Sequence, residues 1–268
     1  MEAAAQDRTE LWLSLLRELT EVYPSWAVWK NVGSAFAGTG DVDSFAAPAS
    51  WPAIQRTFET WVASQPGLGP VIICRHIPQG PHFITLQDGS PYIVQLDVKV
   101  RGTFRGSTLI DVDDLQRLSE IDPLGFRRVR PGVEGVIKLL MNGMKKGGQP
   151  NPEGLRTKRV AALLSADPDG VVAGAELLGP AAGALRRGAA AVIDGRWDHA
   201  AMRRVEAWSL TRSIAEPGVA VSRLWFLYYQ AARCPVVSLI RDHDRRVPAD
   251  REGWLRDVAR GHEVRDVG

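Results

Sequence analysis

Apolar residues recur at helical spacing at Leu11, Leu15, Leu19 and Val22, with Trp12 and Leu16 widening the stripe, which predicts an amphipathic helix over residues 7–22. Pro24 ends it, because a proline pushes the residue before it out of the helical region. A short apolar run at 26–32 suits a strand. It leads into a glycine-rich segment holding Gly33, Ser34, Gly38, Thr39 and Gly40, and then into Asp41-Val42-Asp43-Ser44-Phe45, so the pattern reads as strand, tight loop, strand. Residues 51–64 carry the pattern of another helix. Residues 69–77, 82–87 and 92–100 carry that of three strands, the last two joined by the turn-forming Asp88-Gly89-Ser90. Together with a helix predicted over 133–146, these elements amount to an α+β fold.

Gly147, Gly148, Pro150 and Pro152 disfavour any regular element over residues 147–152, and a domain boundary is expected there, with one domain over 1–148 and a second over 149–268. Beyond it, residues 155–164, 182–192, 199–213 and 219–233 read as helices, and strand signal is confined to 235–240. The C-terminal part is therefore expected to be a helical domain.

A chain of 268 residues, 45% of them hydrophobic, can bury one large core or two modest ones. Charge is nearly balanced, 33 Lys+Arg against 31 Asp+Glu, so no global field favours nucleic acid or an acidic membrane as a partner. Cys74 and Cys234 have no second cysteine at metal or redox spacing and read as buried reduced thiols. The N-terminus reaches Asp7, Arg8 and Glu10 at once, unlike a signal peptide, and no apolar run approaches the roughly 20 residues that span a bilayer. A cytoplasmic protein is expected, with no membrane partner. Abundant Ala, Gly and Arg suit the GC-rich coding of many bacteria.

The candidate chemistry lies in three aspartates. Two carboxylates at positions i and i+2 of a strand face the same way, about 6.5–7 Å apart; Asp41 and Asp43 have that spacing. Asp97 sits between Leu96 and Val98 inside an apolar strand, where a charge is costly unless paired or bound to metal. Three such acids suit an Mg²⁺ or Mn²⁺ ion that bridges phosphates. The same sequence holds a second Asp-x-Asp at Asp111-Val112-Asp113, directly before Asp114-Leu115-Gln116-Arg117-Leu118; those acids read as the N-terminal residues of a helix. Asp41-Val42-Asp43 instead follows a glycine loop and has a partner acid in a separate strand.

The stretch from Gly38 to Phe45 resembles the Asp-hydrophobic-Asp signature of DNA polymerase β-like nucleotidyltransferases, and Asp97 resembles their third acid. Trp26-Ala27-Val28-Trp29-Lys30-Asn31, and Arg130-Pro131-Gly132-Val133-Glu134 opening a helix that ends in Lys145-Lys146, are similar to a bacterial group of nucleotidyltransferase-like domains. The resemblance covers roughly residues 10–165. It implies a nucleotidyltransferase-like mixed sheet with flanking helices over 1–148. It implies an enzyme that holds Mg²⁺ or Mn²⁺ on Asp41, Asp43 and Asp97 and moves a nucleotidyl group from a nucleoside triphosphate such as ATP to a hydroxyl or similar acceptor. Gly33 and Ser34 match the superfamily's Gly-Ser pair, which meets the triphosphate through backbone amides; the short gap from Ser34 to Asp41 leaves Gly38-Thr39-Gly40 as the alternative. In the superfamily the third acid can also take the proton of the attacking hydroxyl, a role that falls to Asp97.

Triphosphate binding needs cations, and Lys30, Lys99, Lys145 and Lys146 are the candidates. Lys30 leads into the loop and Lys99 shares a strand face with Asp97, so salt bridges to the aspartates explain both equally well. For Lys145 and Lys146, a place near a helix C-terminus is the simpler explanation. Arg75, His76 and His82 flank the hairpin that leads to Asp97. Arg245 and Arg246, in a charged run before the last helix, offer an acceptor-binding surface or a solvated connector. Trp225, Phe226, Tyr228 and Tyr229 read mainly as packing residues. The leading expectation is a small-molecule acceptor. The alternatives are a toxin-like enzyme acting on RNA or protein, which calls for a continuous basic face, and an inactive nucleotide-binding module. A metal-dependent glycosyltransferase also uses Asp-x-Asp but needs alternating strands and helices upstream of it, which the chain lacks.

Overall fold

The computed structural model describes residues 2–75, 79–89, 92–155, 157–232, 249–259 and 262–267. His76, Cys234, Arg245, Arg246 and the strand expected at 235–240 lie outside the described residues, as do the side chains of Phe226 and Tyr229. The fold is α+β, with a mixed eight-stranded sheet and helices. Two compact units are present: Met1–Val100, Ile121–Arg128 and Leu224–Gly268 form the first, and Arg101–Glu120 and Val129–Arg223 the second.

In the first unit the chain runs through α1 (Glu2–Val22), β1 (Ala27–Lys30), α2 (Val32–Phe36), β2 (Val42–Phe45), α3 (Trp51–Ser64), β3 (Leu68–Cys74), β4 (His82–Gln87) and β5 (Ile93–Lys99). The sheet is completed by β8 (Ser119–Ile121), β9 (Arg127–Val129) and β10 (Glu263–Arg265), in the order β10-β3-β4-β5-β2-β1-β9-β8. The pair β2 and β5 is parallel, whereas β4 and β1 flank it antiparallel. Strict alternation in β5 decides what each face carries. Val94, Leu96 and Val98 join Val42, Val71, Ile73 and Phe83 against Trp12, Leu16 and Leu19 of α1 and Phe58, Trp61 and Val62 of α3 in the main core. The other face holds a second apolar cluster, Ile72, Cys74, Ile84, Leu86 and Ile93, covered by Trp254 and Val258 of a late helix (Arg251–Ala259). Cys74 is thus a buried thiol, as its apolar surroundings in the sequence suggest.

The second unit contains a hairpin of β6 (Arg101–Phe104) and β7 (Ser107–Asp111), then α4 (Val112–Arg117), α5 (Pro131–Met141), α6 (Pro152–Leu155), α7 (Thr157–Ala166), α8 (Pro168–Glu176), α9 (Ala182–Ile193), α10 (His199–Ala215) and the start of α11 (Pro217–Ala232). The second Asp-x-Asp does what its position suggests: Asp111 caps α4, its side chain accepting from the Asp114 amide at 2.9 Å in a capping box.

The chain does not divide between 148 and 149. Residues on both sides of that point belong to the second unit, and the C-terminal stretch returns to the first. The cause is α5. Every residue from Gly132 to Leu140 is buried, and a helix covered on all sides needs neighbours all round. Those neighbours are α7 and α8, on the far side of the Gly-Pro segment. That segment is a tight turn, with Gly147 at φ 75° and a bridge from Met144 to Pro150. The helix also ends at Met141 rather than 146, and shortly after it the chain packs so closely that a side chain at Gly143 would meet the Leu139 carbonyl at 2.7 Å and Leu155 at 2.8 Å. Lys145 and Lys146 therefore do not sit at its C-terminus. Among the described residues no helix is long and apolar enough to cross a membrane.

Two helical glycines predict opposite outcomes in urea denaturation. A Cβ at Gly132 of α5 would lie 2.1 Å from the Asp167 carbonyl and 2.6 Å from the Val171 amide, both backbone atoms. Gly132→Ala is expected to destabilise by about 2 kcal/mol or more. Gly183 in α9 has nothing within 4 Å of such a Cβ. Gly183→Ala is expected to stabilise by up to ~1 kcal/mol through helix propensity.

Candidate metal centre

Register builds this site. In the parallel pairing of β2 with β5, Asp43 lies opposite Asp97; on either side His82 of β4 lies opposite Asp97, and Lys30 of β1 opposite Asp43. One row across four strands therefore reads His82, Asp97, Asp43, Lys30. Asp97 belongs to the polar alternation Gln95, Asp97, Lys99 of β5, which faces away from the main core. Asp41, just before β2 and partly exposed, completes the group. One carboxylate oxygen from each of Asp41, Asp43 and Asp97 lies within 4.8 Å of the others.

Asp43 and Asp97 are 2% and 3% exposed, so their charges need partners. The Lys99 ammonium donates to Asp43 Oδ1 at 2.9 Å and lies 3.2 Å from Asp97 Oδ2. Lys30 Nζ lies 3.6 Å from Asp43 Oδ2 and 4.6 Å from the centre of the Trp29 ring. Asn31 Nδ2 donates to Asp43 Oδ2 at 2.8 Å. His82 Nδ1 and Gln95 Nε2 both donate to Asp97 Oδ1. Nε2 of His82 is buried and has no hydrogen-bond partner among the described residues.

These contacts set the charge states. Burial alone would raise Asp43, but Lys30 and Lys99 outweigh it and the repulsion from Asp97, and hold Asp43 below the usual carboxylate range. Burial opposes ionisation of Asp97 too; the charges of His82 and Lys99 and the hydrogen bonds from His82 and Gln95 prevail and hold it far below that range. For Lys99, burial would lower the pKa, and Asp43, Asp97 and more weakly Asp41 drive it well above the ordinary lysine value.

The glycine segment departs from a simple loop. Gly33 and Ser34 fall inside α2, which begins after Asn31 at φ 71°. Asparagine tolerates this left-handed conformation better than most residues. Its carbonyl accepts the Ser34 amide at 2.8 Å, and the Ser34 carbonyl accepts the Thr39 amide at 2.9 Å. A Cβ at Gly40 would lie 2.5 Å from Cβ of Ser34. The two stretches that the sequence offers as alternatives, Gly33-Ser34 and Gly38-Thr39-Gly40, are thus folded onto each other. Lys145 is exposed in the second unit. Arg75 pairs with Gln55 and with Glu263, the latter at 3.3 Å.

Two site residues escape a search for acids and cations, Asn31 and Gln95. Gln95 was signalled by its parity with Asp97 in an otherwise apolar strand. Asn31 was signalled by its place between a strand and a glycine segment. Comparison with protein-family models, with curated proteins and with solved structures returns no match.

The charges predict a two-sided pH profile of stability in the presence of chelator. Asp43 and Asp97, with depressed folded values, contribute stability that is full above the unfolded carboxylate pKa of about 3.9 and is lost as pH falls through their folded values. Lys99, with a raised value, contributes stability that is full below the unfolded lysine pKa of about 10.4 and is lost as pH rises through its folded value. In urea titrations across pH, Lys99→Met is expected to abolish the alkaline decline. At neutral pH it should cost about 3–5 kcal/mol, because two buried carboxylates lose a shared partner. An unchanged midpoint at neutral pH would show that Lys99 does not balance them.

Proposed function

We propose that the first unit is a metal-dependent nucleotidyltransferase of the DNA polymerase β-like kind, which moves a nucleotidyl group from a nucleoside triphosphate to a hydroxyl of a small-molecule acceptor. The observation that carries this reading is the convergence of Asp41, Asp43 and Asp97 to within 4.8 Å. The donor set fits Mg²⁺ or Mn²⁺, since all three ligands are hard carboxylate oxygens. Charge fits as well: three carboxylates gather in a largely buried site, where a divalent cation would offset their mutual repulsion. A divalent ion held by Asp41, Asp43 and Asp97 supplies neutralisation of phosphate oxygens.

The chain's own groups take distinct parts in this reading. Asp41, the partly exposed acid, is the one that a phosphate approaching from solvent meets first. Lys30 and Lys99 hold the buried acids ionised and stand ready to turn their ammonium groups to phosphate oxygens. Asn31 fixes Asp43, and His82 with Gln95 fixes Asp97. Asp97, engaged by three partners and strongly acidified, is a poor base and serves as a ligand rather than a proton acceptor. Gly33, Ser34, Thr39 and Gly40 form the turn beside Asp41. The Ser34 and Thr39 amides are occupied within that turn, so the backbone contact expected from Ser34 requires the turn to open.

A second reading rests on Lys99. Its ammonium bridges Asp43 and Asp97 at 2.9 and 3.2 Å, as a permanent internal counter-ion would in a nucleotide-binding module without metal. Calorimetric titration with ATP, GTP, CTP and UTP, each with and without Mg²⁺, separates the two. The enzyme reading expects Mg²⁺-dependent binding of at least one triphosphate. It also expects a loss of more than about 100-fold in Asp41→Asn/Asp43→Asn, because removing outer-shell partners alone costs about 10–100-fold. Binding that ignores Mg²⁺ favours the module, and binding of no triphosphate rejects both.

A further inference from the structure

The second unit carries a cationic cluster that the proposed function does not use. Phe104 pairs with Ser107 across the β6–β7 hairpin, so its turn consists of Arg105 and Gly106 alone, at φ 52° and 88°. Two-residue turns with both φ values positive favour Asn-Gly or Gly-Gly. Gly106 is required, since a side chain there would press on Ser213 at 3.3 Å. Arginine in the strained first position has no such reason, and a side chain held in a sparsely populated backbone conformation points to a use for its head group.

That head group is firmly placed. Arg105 Nε lies 2.9 Å from Glu206 Oε1 in an ion pair that lacks hydrogen-bond alignment, Nη2 donates to the Met144 carbonyl at 3.2 Å, and the guanidinium stands 5.1 Å from the centre of the Phe104 ring. A second guanidinium, that of Arg223 in α11, reaches the same hairpin. Its one hydrogen bond to a described residue is from Nη1 to the buried hydroxyl of Thr103 at 3.4 Å, and it has no carboxylate partner among the described residues. Burial first, and then repulsion from Arg105, lower the Arg223 pKa below the ordinary arginine value. Two guanidinium groups against the single carboxylate of Glu206 leave one uncompensated positive charge in a partly buried setting.

We infer that Arg105, Arg223 and Thr103 form a binding site for the phosphate group of a ligand. Two planar forks beside a hydroxyl match the several acceptor oxygens of a tetrahedral oxyanion. An anion seated there supplies the counter-charge that Arg223 lacks. Every group named belongs to the second unit, and the assignment does not rest on the nucleotidyltransferase reading.

Calorimetric titration of the full chain with inorganic phosphate, in chelator and at matched ionic strength, tests it. Wild type is expected to bind phosphate, and Arg223→Gln to bind it at least tenfold more weakly. Asp43→Asn, which alters only the acidic site, should bind it as wild type does, so failure of either proposal leaves the other standing. If Arg223→Gln does not fold, Arg223→Lys replaces it, keeping the charge but losing the fork, with a loss of at least threefold expected. Absence of phosphate binding by wild type, or binding that the Arg223 variant leaves unchanged, overturns the assignment.

Discussion

Asp43 and Asp97 stand opposite each other on adjacent parallel strands, buried, on the same face of the sheet. Neighbouring strands are about 4.8 Å apart, so two ionised carboxylates in this register repel strongly unless cations lie between or beside them. Much of the surrounding structure answers that constraint. Lys99 bridges both acids, Lys30 flanks one, and Asn31, His82 and Gln95 supply the remaining donors. The register is in turn enforced from the opposite face, where Val94, Leu96 and Val98 bury against α1 and α3. A slip of one residue in β5 would turn Asp97 into that apolar core and put Leu96 among the charges. The hydrophobic core thus fixes, from the opposite face of the sheet, where the charges meet.

Strand parity in β5 and the spacing of Asp41 and Asp43 made the acidic cluster legible in the sequence, because both rest on a strict period of two. The helices α1 and α3 were equally legible from their apolar stripes. The division into units was not. Glycine and proline at 147–152 signal a break in regular structure, and a tight turn within one unit satisfies that signal as well as a linker does. The segments that return to the first unit, Glu263–Arg265 against β3 and Trp254 with Val258 against the second apolar cluster, depend on pairings across about two hundred residues, on which local pattern is silent. The β6–β7 hairpin was hidden because its turn, Arg105-Gly106, lacks the asparagine or aspartate that announces such turns.

The two Asp-x-Asp copies show why context outweighs motif. Asp111 turns its carboxylate to the amide of Asp114 and caps a helix, so its charge is met by backbone donors and the local dipole. Asp43 has no helix start to serve. It meets a neighbouring strand's acid instead and draws in side-chain cations from both sides. Identical spacing yields a cap in one place and an acidic cluster in the other because the first precedes a helix and the second enters the middle of a sheet.

Lysine rather than arginine between the buried acids has a mechanical consequence. An ammonium is a point charge on a stem of rotatable bonds, whereas a guanidinium fork in the same place would lock onto both carboxylates. Lys99 therefore balances Asp43 and Asp97 with a charge that its stem can also carry elsewhere. Lys30, poised over the Trp29 ring at 4.6 Å, has the same latitude with an aromatic face as its alternative partner. Under the proposed function the two lysines act as counter-ions of the empty state and as phosphate ligands of the loaded one.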